Sequence, residues 1–169
     1  MPAVPQRLSW AVDTLGVAGD DRLLEIGCGP GVAISMVCDR LTTGRITAID
    51  RSAVAVERAR ARNTAHVASG RAAVLQTSLE AARFDGERFD KVFAVNVNLF
   101  WTRDPAAELA LIARLLDRDG ELLLFYEPPS ADRAAALTGD LTRYLSANGF
   151  APTVVRGGDT LVCVRARIG

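Results

Sequence analysis

Apolar positions along the chain switch between two periods. Leu8, Val12 and Leu15 recur at helical spacing ahead of Gly16 and predict a leading helix over 7–15. Arg22–Ile26 is almost continuously apolar, the pattern of a strand buried on both faces. Ile34, Val37, Cys38 and Leu41 return to one helical face over 31–41, Gly44 breaks the pattern, and 46–49 reads as a second strand. Ser52 then caps an alanine- and arginine-rich helix over 53–64. The alternation continues with strands at Ala72–Gln76 and 91–95, and a helix over 105–116 with Asp104 as cap and Pro105 in its first turn. Asp119-Gly120 reads as a turn into a strand over 121–126, and a helix over 132–147 stops at Asn148-Gly149. The last apolar runs, 151–155 and 161–165, flank Gly157-Gly158-Asp159 and predict an antiparallel hairpin.

Five strand–helix alternations and a final hairpin imply an α/β three-layer sandwich. Its sheet is mostly parallel with one antiparallel strand, and helices cover both faces. With no repeat, low-complexity tract or linker, residues 1–169 read as one domain, long enough to bury a core without metals or disulfides. Hydrophobic residues make up 49% of the chain, yet no apolar run approaches the roughly 18 residues of a membrane span. Residues 1–7 lack the apolar segment of a secretory signal, so a soluble, cytoplasmic protein without membrane partners is expected. Twenty basic and 20 acidic residues cancel, leaving no global field to attract nucleic acid. Cys28, Cys38 and Cys163 form no C-x-x-C, which excludes a disulfide framework and a zinc site and leaves no metal expected.

The candidate chemistry begins at Leu23-Leu24-Glu25-Ile26-Gly27-Cys28-Gly29-Pro30-Gly31, followed by Ile46-Thr47-Ala48-Ile49-Asp50. A strand that opens into glycines lets a ligand approach the backbone. The following helix start offers amide groups, and an aspartate at the next strand tip can accept ribose hydroxyls. A dinucleotide fingerprint would need glycines at 27, 29 and 32, but position 32 is Val32. The chain instead resembles the class I S-adenosylmethionine-dependent methyltransferases, whose first motif E/D-x-G-x-G-x-G is matched by Glu25, Gly27, Gly29 and Gly31. The resemblance runs from about Arg7 to the end and implies the family's seven-stranded sheet, S-adenosylmethionine as cofactor, and methyl transfer.

It also implies site residues. Glu25, Gly27, Cys28, Gly29 and Gly31 would cradle the methionine part and ribose edge, with Cys28 as a small packing residue. Asp50, with Arg51 beside it, would meet the ribose. Ser78 stands where the family usually has an aspartate for the adenine amino group; its hydroxyl and the Leu79 amide are the substitutes. Asn96-Val97-Asn98-Leu99-Phe100-Trp101 follows the fourth strand, where the family places cofactor against substrate. Asn96 is thus a candidate for cofactor and catalysis, and Asn98, Phe100 and Trp101 for substrate, with plain packing an equal reading of the two aromatics. The segment is not the N/D-P-P-Y/F sequence of enzymes that methylate base amino groups, which argues against a nucleic-acid acceptor. Glu127, held by Pro128-Pro129, is the first candidate base, before Tyr126, Asn96 and the sole histidine, His66.

Short loops imply a small, fairly apolar acceptor enclosed by 9–12, 99–101 and 128–132. Methylation at oxygen, nitrogen or carbon stays open. A second copy could complete the open mouth as a homodimer. Two alternatives are a non-catalytic methyltransferase-like subunit, suggested by Ser78, and a nicotinamide oxidoreductase, against which Val32 and the hairpin speak.

Overall fold

The structure, a computed structural model, describes residues 2–169. Its strands are β1 (Arg22–Ile26), β2 (Arg45–Asp50), β3 (Ala72–Gln76), β4 (Phe89–Val95), β5 (Leu116–Tyr126), β6 (Phe150–Arg156) and β7 (Val162–Ile168). Its helices are α1 (Gln6–Leu15), α2 (Val32–Cys38), α3 (Ala53–Arg62), α4 (Thr64–Ala68), α5 (Ala106–Leu115) and α6 (Ala131–Ala147), with a 3₁₀ turn at Asn98–Phe100. The seven strands form one sheet in the order β3-β2-β1-β4-β5-β7-β6, with β7 the antiparallel strand. The chain divides into two compact units, one ending at Asp85 and the other Gly86–Gly169.

In the first unit β1 pairs with β2 and β2 with β3, all parallel, so Ile26 lies level with Ile49, and Asp50 with Gln76. That register aligns the carboxyl ends of the strands, where ligands of open α/β sheets bind. The helix expected over 31–41 is shorter, because Gly31 takes a left-handed N-cap conformation (φ 82°) and residues 39–41 continue only in tight turns. The helix expected over 53–64 is broken at Asn63 (φ −110°, ψ 26°), where α3 ends and α4 begins. Ser52 caps α3 as expected, its side chain accepting from the Ala55 amide at 3.2 Å. On the edge strand β3, the Val74 carbonyl accepts from Arg60 Nε at 3.1 Å and Nη2 at 2.6 Å.

In the second unit β4 runs parallel to β5, with a register shift between Phe89 and Lys91. Asp119-Gly120 is not the expected turn but lies inside β5, which starts five residues early at Leu116, the partner of Phe89. Gly120 makes this possible, since a Cβ there would stand 2.8 Å from the Phe89 carbonyl oxygen. Asp104 Oδ1 accepts from the Ala106 amide at the start of α5, and Ser130 Oγ from the Arg133 amide at the start of α6. The terminal hairpin forms as expected, with β6 antiparallel to β7 and Pro152 within β6. Among the described residues no helix is long and apolar enough to cross a membrane, and no cluster of His, Cys, Asp and Glu could hold a metal.

Candidate functional site

The glycine loop after β1 turns on three left-handed glycines, Gly27 (φ 74°), Gly29 (φ 53°) and Gly31 (φ 82°), a conformation strained for any residue with a Cβ. Its amides are already used. Gly27 and Cys28 donate to the Ile49 carbonyl at 2.8 and 3.1 Å, Gly29 to Asp50 Oδ2 at 2.9 Å, and Gly31 to the Cys28 carbonyl at 3.1 Å. A loop whose amides are spent internally is poorly suited to a phosphate, which needs converging N–H donors. This separates it from a dinucleotide site on physical grounds. A Cβ on Gly29 would meet nothing within 4 Å, so open space borders the loop there.

Asp50 does more than end β2. One oxygen takes the Gly29 amide and the other takes the Ser52 amide at 2.9 Å, so the carboxylate ties the loop to the start of α3. Each oxygen keeps a further lone pair for a ligand hydroxyl. Glu25 is buried, and its Oε2 has no hydrogen-bond partner. Burial first, and then the nearby Asp50 charge, push its pKa up to about 8. An orphaned buried carboxyl gains most from a cationic or hydrogen-donating ligand. The unused Glu25 oxygen, the spent amides and the space at Gly29 fit a cofactor that carries an ammonium, a sulfonium and ribose hydroxyls. Burial also raises Cys28, to about 12, with smaller contributions from Glu25 and Asp50; that thiol is a packing group, not a nucleophile. Arg51 is exposed, Ser78 half-buried and Leu79 buried.

Sequence reasoning missed Asn63, which stands 1% exposed at the α3–α4 break. Its Nδ2 donates to the Gly31 and Ala59 carbonyls, both at 2.9 Å, and its Oδ1 accepts from Ser35 Oγ at 2.7 Å. A polar residue inside an amphipathic helix reads as a surface position, so only the position of the break could have marked it.

The second unit holds a cavity of about 350 Å³ whose walls include Asn96, Asn98, Trp101, Glu127, Arg133 and Leu137. Asn96 adopts a left-handed conformation (φ 53°) just after β4. Its amide donates to the Phe125 carbonyl at 2.8 Å and its Oδ1 accepts from the Glu127 amide at 3.0 Å. Asn96 therefore sets the backbone of Glu127, whose side chain is exposed at this cavity. Tyr126, a candidate base by sequence, is a different group here. It is buried, its hydroxyl donates to the Val97 carbonyl at 2.7 Å, and burial lifts the phenol far above its ordinary range. It lines the cavity beside Asn96 and Glu127, and its bond to Val97 fixes the loop after β4.

The two aromatics of that loop part company. Trp101 is 42% exposed and lines the cavity, whereas Phe100, read equally as a substrate contact or as packing, is fully buried in the core. A 3₁₀ turn explains the split, because it turns successive side chains by about 120°. Of the expected enclosing residues in the second unit, Trp101, Pro128 and Pro129 line the cavity, while Leu99 does not. Ala11 and Val12 belong to the buried face of α1. His66 lies on α4. The face of α6 bearing Arg133 and Leu137 was not foreseen, since helical periodicity does not tell which face borders a cavity.

Comparison with known proteins agrees with this architecture. A family model described as a methyltransferase domain matches residues 23–120, more than half of the chain. The uncharacterized methyltransferase YdaC of Bacillus subtilis is 28% identical over 149 residues, which span 88% of this chain and 80% of that protein. A SAM-dependent methyltransferase structure from Aquifex aeolicus superposes with a TM-score of 0.80 at 17% identity, covering 96% of this chain and 89% of that one. The geranyl diphosphate C-methyltransferase of Streptomyces coelicolor A3(2) gives a TM-score of 0.74 at 16% identity, covering 96% and 78%. The matched region contains the whole glycine loop, Asp50 and the loop after β4, and the sheet ends in the family's reversed hairpin. The chain belongs to the methyltransferase-domain family, as a class I S-adenosylmethionine-dependent methyltransferase.

Proposed function

We propose that residues 1–169 work as one domain that methylates a small, fairly apolar molecule by in-line transfer from S-adenosylmethionine. The observation that carries the cofactor reading is the glycine loop, with its spent amides, beside the unpartnered Glu25 carboxyl. In this reading Glu25, Gly27, Cys28, Gly29 and Gly31 hold the methionine end, and Asp50 and Arg51 the ribose. Ser78 and the Leu79 amide meet the adenine edge, and Asn96 borders the acceptor. The bound cofactor supplies a methyl group already activated on a sulfonium. The chain's own task is then alignment, which can supply about 7–11 kcal/mol of barrier lowering.

The acceptor would occupy the cavity of the second unit. Trp101, Pro128 and Leu137 give it apolar walls, and Asn98 and Arg133 offer polar contacts at the rim. The cavity volume of about 350 Å³ suits a small molecule. Glu127, exposed and fixed through Asn96, is the residue best placed to accept a proton from an oxygen or nitrogen acceptor. Tyr126 is left in a positioning role by its bond to Val97.

Calorimetric titration with S-adenosylmethionine tests the reading. Asp50→Ala should weaken binding about tenfold or more, because a charged acceptor of two hydroxyls is lost. No heat of binding at millimolar cofactor would sink the proposal, and unchanged affinity in the variant would reduce Asp50 to its tie between loop and helix.

A further inference from the structure

The corner at Gly31 is crowded where Gly29 is open. A Cβ on Gly31 would lie 2.8 Å from Ala59 Cα, Ala59 Cβ and Asn63 Nδ2 alike. The end of α3 therefore presses on the last glycine of the loop, and Asn63 is the polar part of that contact. Its side chain is committed in one orientation, since two carbonyl oxygens can be met only by the NH₂ group while Ser35 Oγ–H meets the carbonyl oxygen. Arg62 Nε reinforces it by donating to the Pro30 carbonyl at 3.1 Å.

The loop is thus held from two sides. β2 fixes its first half through the Ile49 carbonyl and Asp50, and its second half rests on the α3 end through Asn63 and Arg62. The Gly31 amide bonds only back to Cys28, within the loop. Beyond the α3 contacts, the Gly31 carbonyl is met by the Ser35 amide of α2 at a longer 3.4 Å.

We infer that Asn63 is a positioning residue for cofactor binding, which acts through the Gly31 carbonyl to hold the glycine loop in its ligand-ready shape. It touches no ligand in this account. The inference rests on S-adenosylmethionine being the ligand of the loop, as proposed above.

The test uses S-adenosylhomocysteine as calorimetric probe, with hydrogen exchange of the ligand-free protein as a second readout. Asn63→Ala should raise the dissociation constant about tenfold and speed amide exchange in peptides spanning 27–35. Asn63→Asp, which sets a carboxylate against two carbonyls, should be at least as damaging. Ser35→Ala removes only the bond that orients the amide and should weaken binding about threefold; it decides the matter if the Asn63 variants do not fold. Leu145→Ala, a buried change in α6, controls for lost stability and should leave probe affinity unchanged. The inference is overturned by folded Asn63 variants, or by Ser35→Ala where those do not fold, that bind within twofold of the unaltered protein. It is equally overturned by a control that loses affinity in step with its melting temperature. An unaltered protein that binds no probe would instead remove the cofactor reading itself, and the inference with it.

Discussion

A carboxyl without a partner is the most consequential single group in the first unit. Glu25 is held near pKa 8 by burial and by Asp50, against an ordinary value of 4.5. The folded state therefore keeps its proton through a pH range in which the unfolded chain has lost it. That contribution to stability is fully present below about pH 4.5, declines as the unfolded chain ionises, and is gone above about pH 8. Urea midpoints of the ligand-free protein should fall between pH 5 and pH 9 on this account, and Glu25→Gln should flatten the profile. An undiminished slope in the variant would assign the effect to another group. The same residue shows how far a sequence reaches. The spacing of Glu25, Gly27, Gly29 and Gly31 named the loop, and Asp50 its neighbour, but no pattern of letters says that β2 already satisfies three of the loop's amides. Phe100 and Trp101 were equivalent as adjacent aromatics; a 3₁₀ turn sent one to the core and the other to the cavity.

At the level of elements, strand positions were legible from their apolar runs: β1, buried beyond its first residue, and the edge strand β3, buried only at Ala72 and Val74, both fall where the pattern put them. Misplaced boundaries trace to contacts remote in sequence. Asn63 ends α3 because its side chain serves the glycine loop, and β5 begins early because Leu116 finds Phe89. Glycines test this distinction with opposite signs. Gly120→Ala should destabilise by about 1–3 kcal/mol, because the new methyl meets backbone at Phe89 and Asp117. Gly139→Ala, inside α6 with nothing within 4 Å, should stabilise by about 0.5–1 kcal/mol. Denaturant unfolding of both variants measures the pair, and equal effects would show that the close approach at Gly120 carries no energetic weight.

For the molecule as a whole, a mostly parallel sheet with one reversed strand was readable from the alternation and the hairpin, whereas the lining of the cavity was not, since it depends on which face of α6 turns toward the loop after β4. The two outer strands of the sheet carry a further implication. Unpaired strand edges are templates for uncontrolled growth of a sheet from one chain into the next. On β3 the Arg60 guanidinium already occupies the Val74 carbonyl, and on β6 Pro152 has no N–H to give to a newcomer. Replacing both guards, Arg60→Ala with Pro152→Val, should yield concentration-dependent, thioflavin-positive association that the natural sequence does not show; clear solutions at the same concentration would deny the guards that role. A functional dimer of this chain would then join through helices or loops, because continuing the sheet would first require a second copy to evict an arginine or bridge a proline.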